Sequence, residues 1–432
     1  MLFNSLPFIL WFLPVVLAGY FVIAGTGYIG WARFWLVAAS LFFYGWWNPA
    51  HVPLLIASMV ANYAVGKYLA QHPSKTLLVG GILGNLAVLG YFKYTHFILG
   101  AFSDGFAQHW SIPDIVLPLA ISFFTFQQIA YLCDAYDGSA VEHNFINYCL
   151  FITFFPHLIA GPITHHREML PQFANPENFR PRTEYLSVGA TLFLIGLFKK
   201  VMIADQLSEY VGSVFTAAMQ REALTLLDAW SGAITHALQL YFDFSGYTDM
   251  AIGLGLMFGI RLPINFNSPY KARSVIDFWS RWHMTLTRFL TAYIYNPVVV
   301  RISRSRAQKH LPLPKRARTT LGAFVIVVAF PTLLTMFAAG LWHGAGWQYI
   351  IFGLLHGAYL VINHAWREIK ARLNMPLESG NPVIIAGAIL LTFLSVVVAL
   401  VFFRAHDVPT ALVMLSSMAG AGGIVVSPPL ME

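Results

Sequence analysis

Residues 320–340 read Thr-Leu-Gly-Ala-Phe-Val-Ile-Val-Val-Ala-Phe-Pro-Thr-Leu-Leu-Thr-Met-Phe-Ala-Ala-Gly, without one charged side chain. A helix of about 20 apolar residues crosses the roughly 30 Å of hydrocarbon in a bilayer. Just before this run, Arg301, Arg304, Arg306, Lys309, Lys315, Arg316 and Arg318 crowd a short polar gap, and no Asp or Glu occurs between Asp277 and Glu368. Such a basic gap beside an apolar run marks a cytoplasmic loop. The run then leads outward and 347–366 returns. Arg367, Lys370 and Arg372 consequently land inside, as the same rule requires.

The rest of the chain agrees with this stretch. Of 432 residues, 57% are hydrophobic and only 10% are charged, with net charge +7; mean hydropathy is +0.63. A soluble domain carries about 25% charged residues, so much of this surface must face lipid. Apolar segments recur at 7–24, 30–48, 52–70, 76–100, 114–134, 145–164, 184–204, 222–242, 320–340, 347–366 and 382–403. They predict an all-α polytopic integral membrane protein of about eleven spans. Gly, Pro and polar residues interrupt 244–262 and 274–300, which therefore read as tilted, re-entrant or interfacial segments.

The largest polar insert, about 165–184, reads as a loop with one amphipathic turn, and 1–432 reads as a single membrane-embedded domain. The apolar start lacks the basic region of a secretory signal, so Pro7–Ile23 is expected to be a retained first span. Cys133 and Cys149 make neither a disulfide framework nor a zinc site. The basic gap lies between membrane segments, which argues against a nucleic-acid partner and fits contact with anionic lipid.

Ionisable groups are costly inside apolar runs and mark functional candidates there. The first candidate stretch is Leu341-Trp342-His343-Gly344-Ala345-Gly346-Trp347. Glycines beside an imidazole let a substrate approach, and a histidine is a base near neutral pH. A histidine bonding at a helix end has the same spacing, and the pattern alone leaves both readings open. His356 follows on a helical face shared with Tyr349, Phe352, Tyr359 and Asn363. That stripe suits a polar channel, although helix packing more often produces one.

In the second stretch, Trp279, Trp282, His283 and Leu286 follow i, i+3, i+4, i+7 spacing, and Asp277 and Arg281 form an i, i+4 pair. An interfacial helix with an aromatic belt shows the same pattern. The third stretch is Tyr241-Phe242-Asp243-Phe244-Ser245-Gly246-Tyr247-Thr248-Asp249, followed by Arg261-Leu262-Pro263-Ile264-Asn265-Phe266-Asn267-Ser268-Pro269-Tyr270. Asp243 is a candidate to orient a histidine or contact a sugar, and pairing with a nearby arginine is its plainer role. There is no His-x-x-x-His zinc spacing, Gly-x-Ser-x-Gly elbow or P-loop, and no metal is expected.

Taken in order, these stretches resemble the membrane-bound O-acyltransferase (MBOAT) family, in its bacterial branch of alginate O-acetylation proteins and teichoic-acid D-alanyl transferases. The likeness rests on Phe242–Asp249, Asn265–Tyr270, Phe278-Trp279-Ser280-Arg281-Trp282-His283 and Trp342-His343-Gly344, and is joined by Leu117–Gln127 and Phe155–Ile163. It extends over about 30–405. The resemblance implies a ring of tilted helices around a central tunnel, with His343 as the catalytic histidine and His283 as the second motif position. Trp342, Trp279, Trp282, Asp243, Tyr349 and His356 are then candidates to contact substrate.

The resemblance also implies a cytoplasmic acetyl-CoA or acyl-carrier thioester as donor substrate, no bound cofactor, a periplasmic acetyltransferase partner and a polysaccharide acceptor. The setting would be the bacterial inner membrane. Where the branch usually has Arg-Asp-Tyr, this chain has Thr291-Ala292-Tyr293. Family chains commonly continue past the Phe403-Arg404-Ala405 region with further membrane segment, so a chain ending at Glu432 is expected to be a short form or a piece. The competing expectations are a transporter or flippase using the tunnel without chemistry, and a scaffold subunit of a polysaccharide export complex.

Overall fold

The computed structural model describes residues 1–106, 115–139, 144–311 and 320–424. Lys315, Arg316 and Arg318 of the basic gap, and residue 114 at the edge of one expected span, lie outside the described residues. Every regular element among the described residues is helical. Among the described residues, six helices are long and apolar enough to cross a membrane: Phe8–Gly25, Pro49–Gln71, Lys75–Ser103, Thr183–Met219, Leu321–His343 and Pro382–Arg404.

The other expected spans take different forms. Segment 30–48 forms Ile29–Gly45, of 17 residues. Segment 114–134 forms Ile121–Tyr136, which begins only after Ala120 adopts a left-handed backbone at φ 58°. Segment 145–164 is not a span. Its helix, Phe145–Thr153, has nine residues and ends where Phe154 leaves helical geometry at ψ 106°, two residues before Pro156. Asn147 through Thr153 are all buried, so protein rather than lipid makes this run apolar. Segments 222–242 and 244–262 join across their glycines into one 32-residue helix, Leu226–Met257. A capping box starts it: the Thr225 N–H and hydroxyl donate to Asp228 at 3.2 and 2.6 Å, and the Asp228 N–H donates back to Thr225 Oγ1 at 3.3 Å.

The chain divides into two compact units. The first comprises Met1–Met202 with Phe242–Ile264, and the second Ile203–Tyr241 with Asn265–Glu432. In the first unit, Phe3, Phe8, Phe12, Phe43 and Phe155 form a fully buried aromatic core. Polar contacts tie its helices together. The Asn85 amide donates to Asn62 at 2.6 Å, the Asn62 amide bonds Gln128, and the Ser58 hydroxyl donates to the same Gln128 oxygen at 2.8 Å. Each such bond between membrane helices is worth about 0.6 kcal/mol.

Glycine sets the closest helix crossing in this unit. A Cβ on Gly253 would strike the Gly189 carbonyl, and one on Gly196 would strike the Gly246 carbonyl. Two glycines seven residues apart on each helix therefore bring the backbones together. Ion pairs close the same crossing, Lys199 to Asp249 and Lys200 to Asp243, each at 2.6 Å. The insert after Thr164 carries more helix than expected: His166–Ala174 buries Met169, Leu170 and Phe173 on one face, and a short turn follows at Pro176–Phe179.

In the second unit, Leu321–His343 and Trp347–Arg372 form a tight helical hairpin. Small residues make it possible, since a Cβ on Gly340 would meet the Tyr349 carbonyl and one on Gly353 the Met336 carbonyl. Segment 274–300 is broken, as expected, into Val275–Trp279 and Met284–Leu290, and a further helix follows at Asn296–Gln308.

Candidate active site

His343 is the last residue of its helix, and the three-residue turn Gly344-Ala345-Gly346 carries the chain into the next one. The glycine at 344 is required by space rather than by backbone angle. A Cβ there would lie inside the Tyr349 ring. The ring therefore braces the turn that holds His343, and Tyr349 in turn packs edge-on against Phe403 at 5.7 Å. Phe403 and Phe352 also meet the His343 imidazole edge-on, at 5.1 and 5.8 Å between centroids.

His283 reaches the same place from the broken segment. Its backbone is left-handed, with φ 45° and ψ 50°, a conformation costly for a side chain of this size. The kink ends the continuous helix that the Trp279, Trp282, His283, Leu286 spacing predicted, and it aims the imidazole inward, where only 2% of the residue is exposed. The His283 and His343 rings lie 6.5 Å apart between centroids. Even nitrogens aimed at each other across that distance are beyond hydrogen-bond reach, and one bridging oxygen spans it.

Asn265, which was not singled out in the sequence, fixes the His283 ring. Its side-chain oxygen accepts from the Thr285 N–H at 3.2 Å and from the Thr285 hydroxyl at 2.9 Å, and lies 3.1 Å from His283 Nδ1. A backbone N–H can only donate, so this atom is the amide oxygen and His283 Nδ1 carries the proton. The lone pair then sits on Nε2. Asn265 is fully buried, and its amide nitrogen has no hydrogen-bond partner among the described residues.

The remaining candidates extend the same wall. His356 stacks on Phe278 at 6.1 Å and 9° and meets Phe352 at 4.8 Å, and the Trp279 indole N–H donates to its Nδ1 at 3.3 Å. Tyr359 completes the helical stripe at 5.8 Å. Trp282 stacks on Phe278 at 5.6 Å and touches Tyr241, Phe266 and Tyr270. Trp342 is buried next to His343 in the chain. The expected Asp277–Arg281 pair forms at 2.7 Å. Asp243 falls in the other unit, where its partner is Lys200 rather than an arginine.

Among the described residues, then, the second unit gathers His343, His283, His356, Trp279, Trp282, Trp342 and Tyr349 around an aromatic enclosure. Phe352 and Phe403 belong to it as well. Phe352 was visible only as part of the stripe, and nothing near Phe403 in sequence signalled it. Chemically, the enclosure offers three imidazoles, one amide donor and aromatic walls.

Comparison with known proteins finds acyl-transferring relatives. The profile of "MBOAT, membrane-bound O-acyltransferase family" matches residues 139–312. The chain is 40% identical to a peptidoglycan O-acetyltransferase of Helicobacter pylori, over 98% of this chain and 81% of that protein. It is 37% identical to a protein of Pseudomonas aeruginosa named "Probable alginate O-acetylase", over 98% of this chain and 75% of that one. A teichoic acid D-alanyltransferase of Bacillus subtilis is 29% identical over 56% of the chain and 58% of its own length.

Proposed function

From the premise that the chain belongs to the membrane-bound O-acyltransferase family, we propose that it moves an acetyl group from a thioester to a hydroxyl of a cell-envelope polysaccharide, with His343 as the base. The observation that carries this reading is the meeting of His343 with His283 inside an aromatic enclosure, with His283 held in one tautomer by Asn265.

A hydroxyl attacks a thioester slowly until its proton is removed. In the proposed step, a ring nitrogen of His343 takes the acceptor's hydroxyl proton. The oxygen bonds to the thioester carbonyl carbon, the C–S bond breaks, and the imidazolium returns the proton to the leaving thiolate. General-base assistance of this kind is worth about 10²–10⁴ in rate. The Asn265 amide N–H is placed to stabilise the oxyanion that forms on the carbonyl, or a water that precedes it. Trp342, Trp279, Trp282, Tyr349 and His356 wall the site, so that transfer competes well with hydrolysis.

The finer parts of the proposal are drawn from the family resemblance. The donor is acetyl-CoA or an acyl carrier thioester delivered from the cytoplasm through a tunnel in a ring of about eleven helices of the bacterial inner membrane. The acceptor lies outside the membrane, where a periplasmic partner completes delivery. The peptidoglycan-acting relative makes peptidoglycan the first acceptor to test.

The test measures alkali-labile acetate on peptidoglycan and on exopolysaccharide in a deletion strain complemented with wild type or His343→Ala, at matched membrane levels. Wild type is expected to restore the ester on one polymer and His343→Ala to leave it absent. Equal restoration by both would remove His343 as the base and favour a transport or scaffold role.

A further inference from the structure

We propose a zinc-class metal site in the first unit, formed by Asp134, His165 and His166, that pins the polar insert to the end of the helix Ile121–Tyr136. The three side chains come from two elements. Asp134 lies in the last turn of Ile121–Tyr136, while His165 caps and His166 opens the helix His166–Ala174. His165 Nε2 lies 3.0 Å and His166 Nδ1 3.3 Å from the same carboxylate oxygen of Asp134. One ligand atom from each residue lies within 4.8 Å of the other two.

The two nitrogen–oxygen spacings are those of metal ligands. Tetrahedral zinc with bonds of about 2.0–2.1 Å sets its ligand atoms about 3.3 Å apart. The His165–Asp134 distance alone suits a hydrogen bond, but the His166 contact does not behave as one. Although Nδ1 is 3.3 Å from the oxygen and buried, it lacks the alignment of a hydrogen bond. His166 is 3% exposed and Asp134 8%. Two nitrogens converging on one buried carboxylate oxygen are best satisfied by a cation placed between them.

The donor set selects the metal. Two imidazoles and one carboxylate suit zinc and its neighbours, whereas calcium and magnesium prefer oxygen throughout. The formal charge also favours binding: one carboxylate and two neutral imidazoles reduce a divalent ion to a net +1, and the fourth position takes water. Two features oppose it. The Arg167 guanidinium stands 3.8 Å from the other Asp134 oxygen, but it is 56% exposed and free to swing into solvent. His165 Nδ1 accepts the Arg167 N–H at 3.3 Å, and coordination through Nε2 moves the ring proton to Nδ1 and releases that long hydrogen bond. No zinc signature is visible in the sequence, because the ligands are adjacent histidines plus an aspartate 31 positions earlier than His165.

This site is separate from the proposed acyl-transfer residues, so it can be tested by metal binding alone. Full-length protein in detergent is stripped with a chelator, and Zn²⁺ is then titrated against a chromophoric competitor. Wild type is expected to take up one equivalent and to melt at a higher temperature in its presence. His165→Gln should bind more than about tenfold more weakly and lose the thermal shift. It is the decisive variant because His165 is a quarter exposed and need not disturb folding. Co²⁺ in wild type should give the visible absorption of a tetrahedral N/O site, absent from Asp134→Asn. Equal Zn²⁺ affinity and equal thermal shift in wild type and His165→Gln, or no binding by wild type, would overturn the site and leave Asp134 as a carboxylate that pairs with His165 and Arg167.

Discussion

Asn265 places three donors on one oxygen, and removing that oxygen should affect both folding and chemistry. In Asn265→Ala, the Thr285 N–H, the Thr285 hydroxyl and the His283 Nδ1–H all lose their acceptor in a dry environment. Each buried group left unmet costs about 1–3 kcal/mol, so the variant should melt clearly lower in detergent. Asn265→Asp keeps the acceptor, so it should recover most of the stability. It lacks the amide N–H, however, and should not recover the acetyl-transfer rate. Recovery of both would reduce Asn265 to a structural brace.

Gly344 makes a second residue-scale case. Gly344→Ala drives a methyl into the Tyr349 ring and must move the turn that holds His343. A displacement of about 1 Å at a catalytic group can cost roughly a hundredfold in rate. Transfer should therefore collapse in Gly344→Ala and return in part when Tyr349→Ala is added. His343 and its glycines stand out in the sequence as candidates because an imidazole among small residues inside an apolar run is conspicuous. Asn265 does not, because an asparagine in a Pro- and Asn-rich loop looks like turn chemistry until the fold returns it to His283.

At the scale of elements, the fold is legible in the sequence where lipid dictates the residues and less so where protein does. Leu321–His343 and Pro382–Arg404 are apolar on all sides, and their lengths follow from bilayer thickness. Phe145–Thr153 is equally apolar, yet it is a short helix buried in its own unit. Hydropathy cannot distinguish those two surroundings. The glycines of Leu226–Met257 looked like interruptions and are instead the crossing point with the Thr183–Phe198 helix. Gly253→Ala tests this directly. Its methyl would meet the Gly189 carbonyl, so the helices must separate at a cost of about 1–3 kcal/mol, seen as a lower melting temperature. An exposed glycine with nothing around it, changed as Gly84→Ala, should not show that loss.

Helix caps add a pH-dependent term. Asp407 caps Val408–Met418 by accepting the Thr410 N–H at 2.8 Å. The Thr410 hydroxyl and that N–H hold its carboxyl below the ordinary range. A depressed folded value means the stabilisation is complete above the unfolded value, about 3.9, and is lost as pH falls through the folded one. Asp407→Ala should thus cost about 1 kcal/mol at neutral pH. The gap between the two melting curves should close below about pH 4. A gap unchanged by acid would mean that the carboxylate charge is not what caps the helix.

At the scale of the whole molecule in its membrane, charge placement fixes direction. Arg301, Arg304, Arg306 and Lys309 precede Leu321–His343, and Arg367, Lys370 and Arg372 end the returning helix. If both basic ends are cytoplasmic, Leu321–His343 and Pro382–Arg404 run outward in parallel, with Trp347–Arg372 antiparallel between them. The geometry of the second unit meets this demand independently: His343 and Phe403, at the ends of the two parallel helices, touch at 5.1 Å. On that orientation the candidate base lies at the outer ends of the two parallel helices.

The arrangement can be read by labelling single cysteines in a background where Cys133 and Cys149 are replaced. Arg304→Cys and Ser379→Cys should react with a membrane-impermeant maleimide only after the cells are opened. His406→Cys, three-quarters exposed beyond the last residue of Pro382–Arg404, should react in intact spheroplasts. Labelling of His406→Cys only in opened cells would invert the unit and put His343 at the donor face. The acceptor would then have to reach the base through the membrane, and the direction of transfer proposed above would fail even if His343 proved essential.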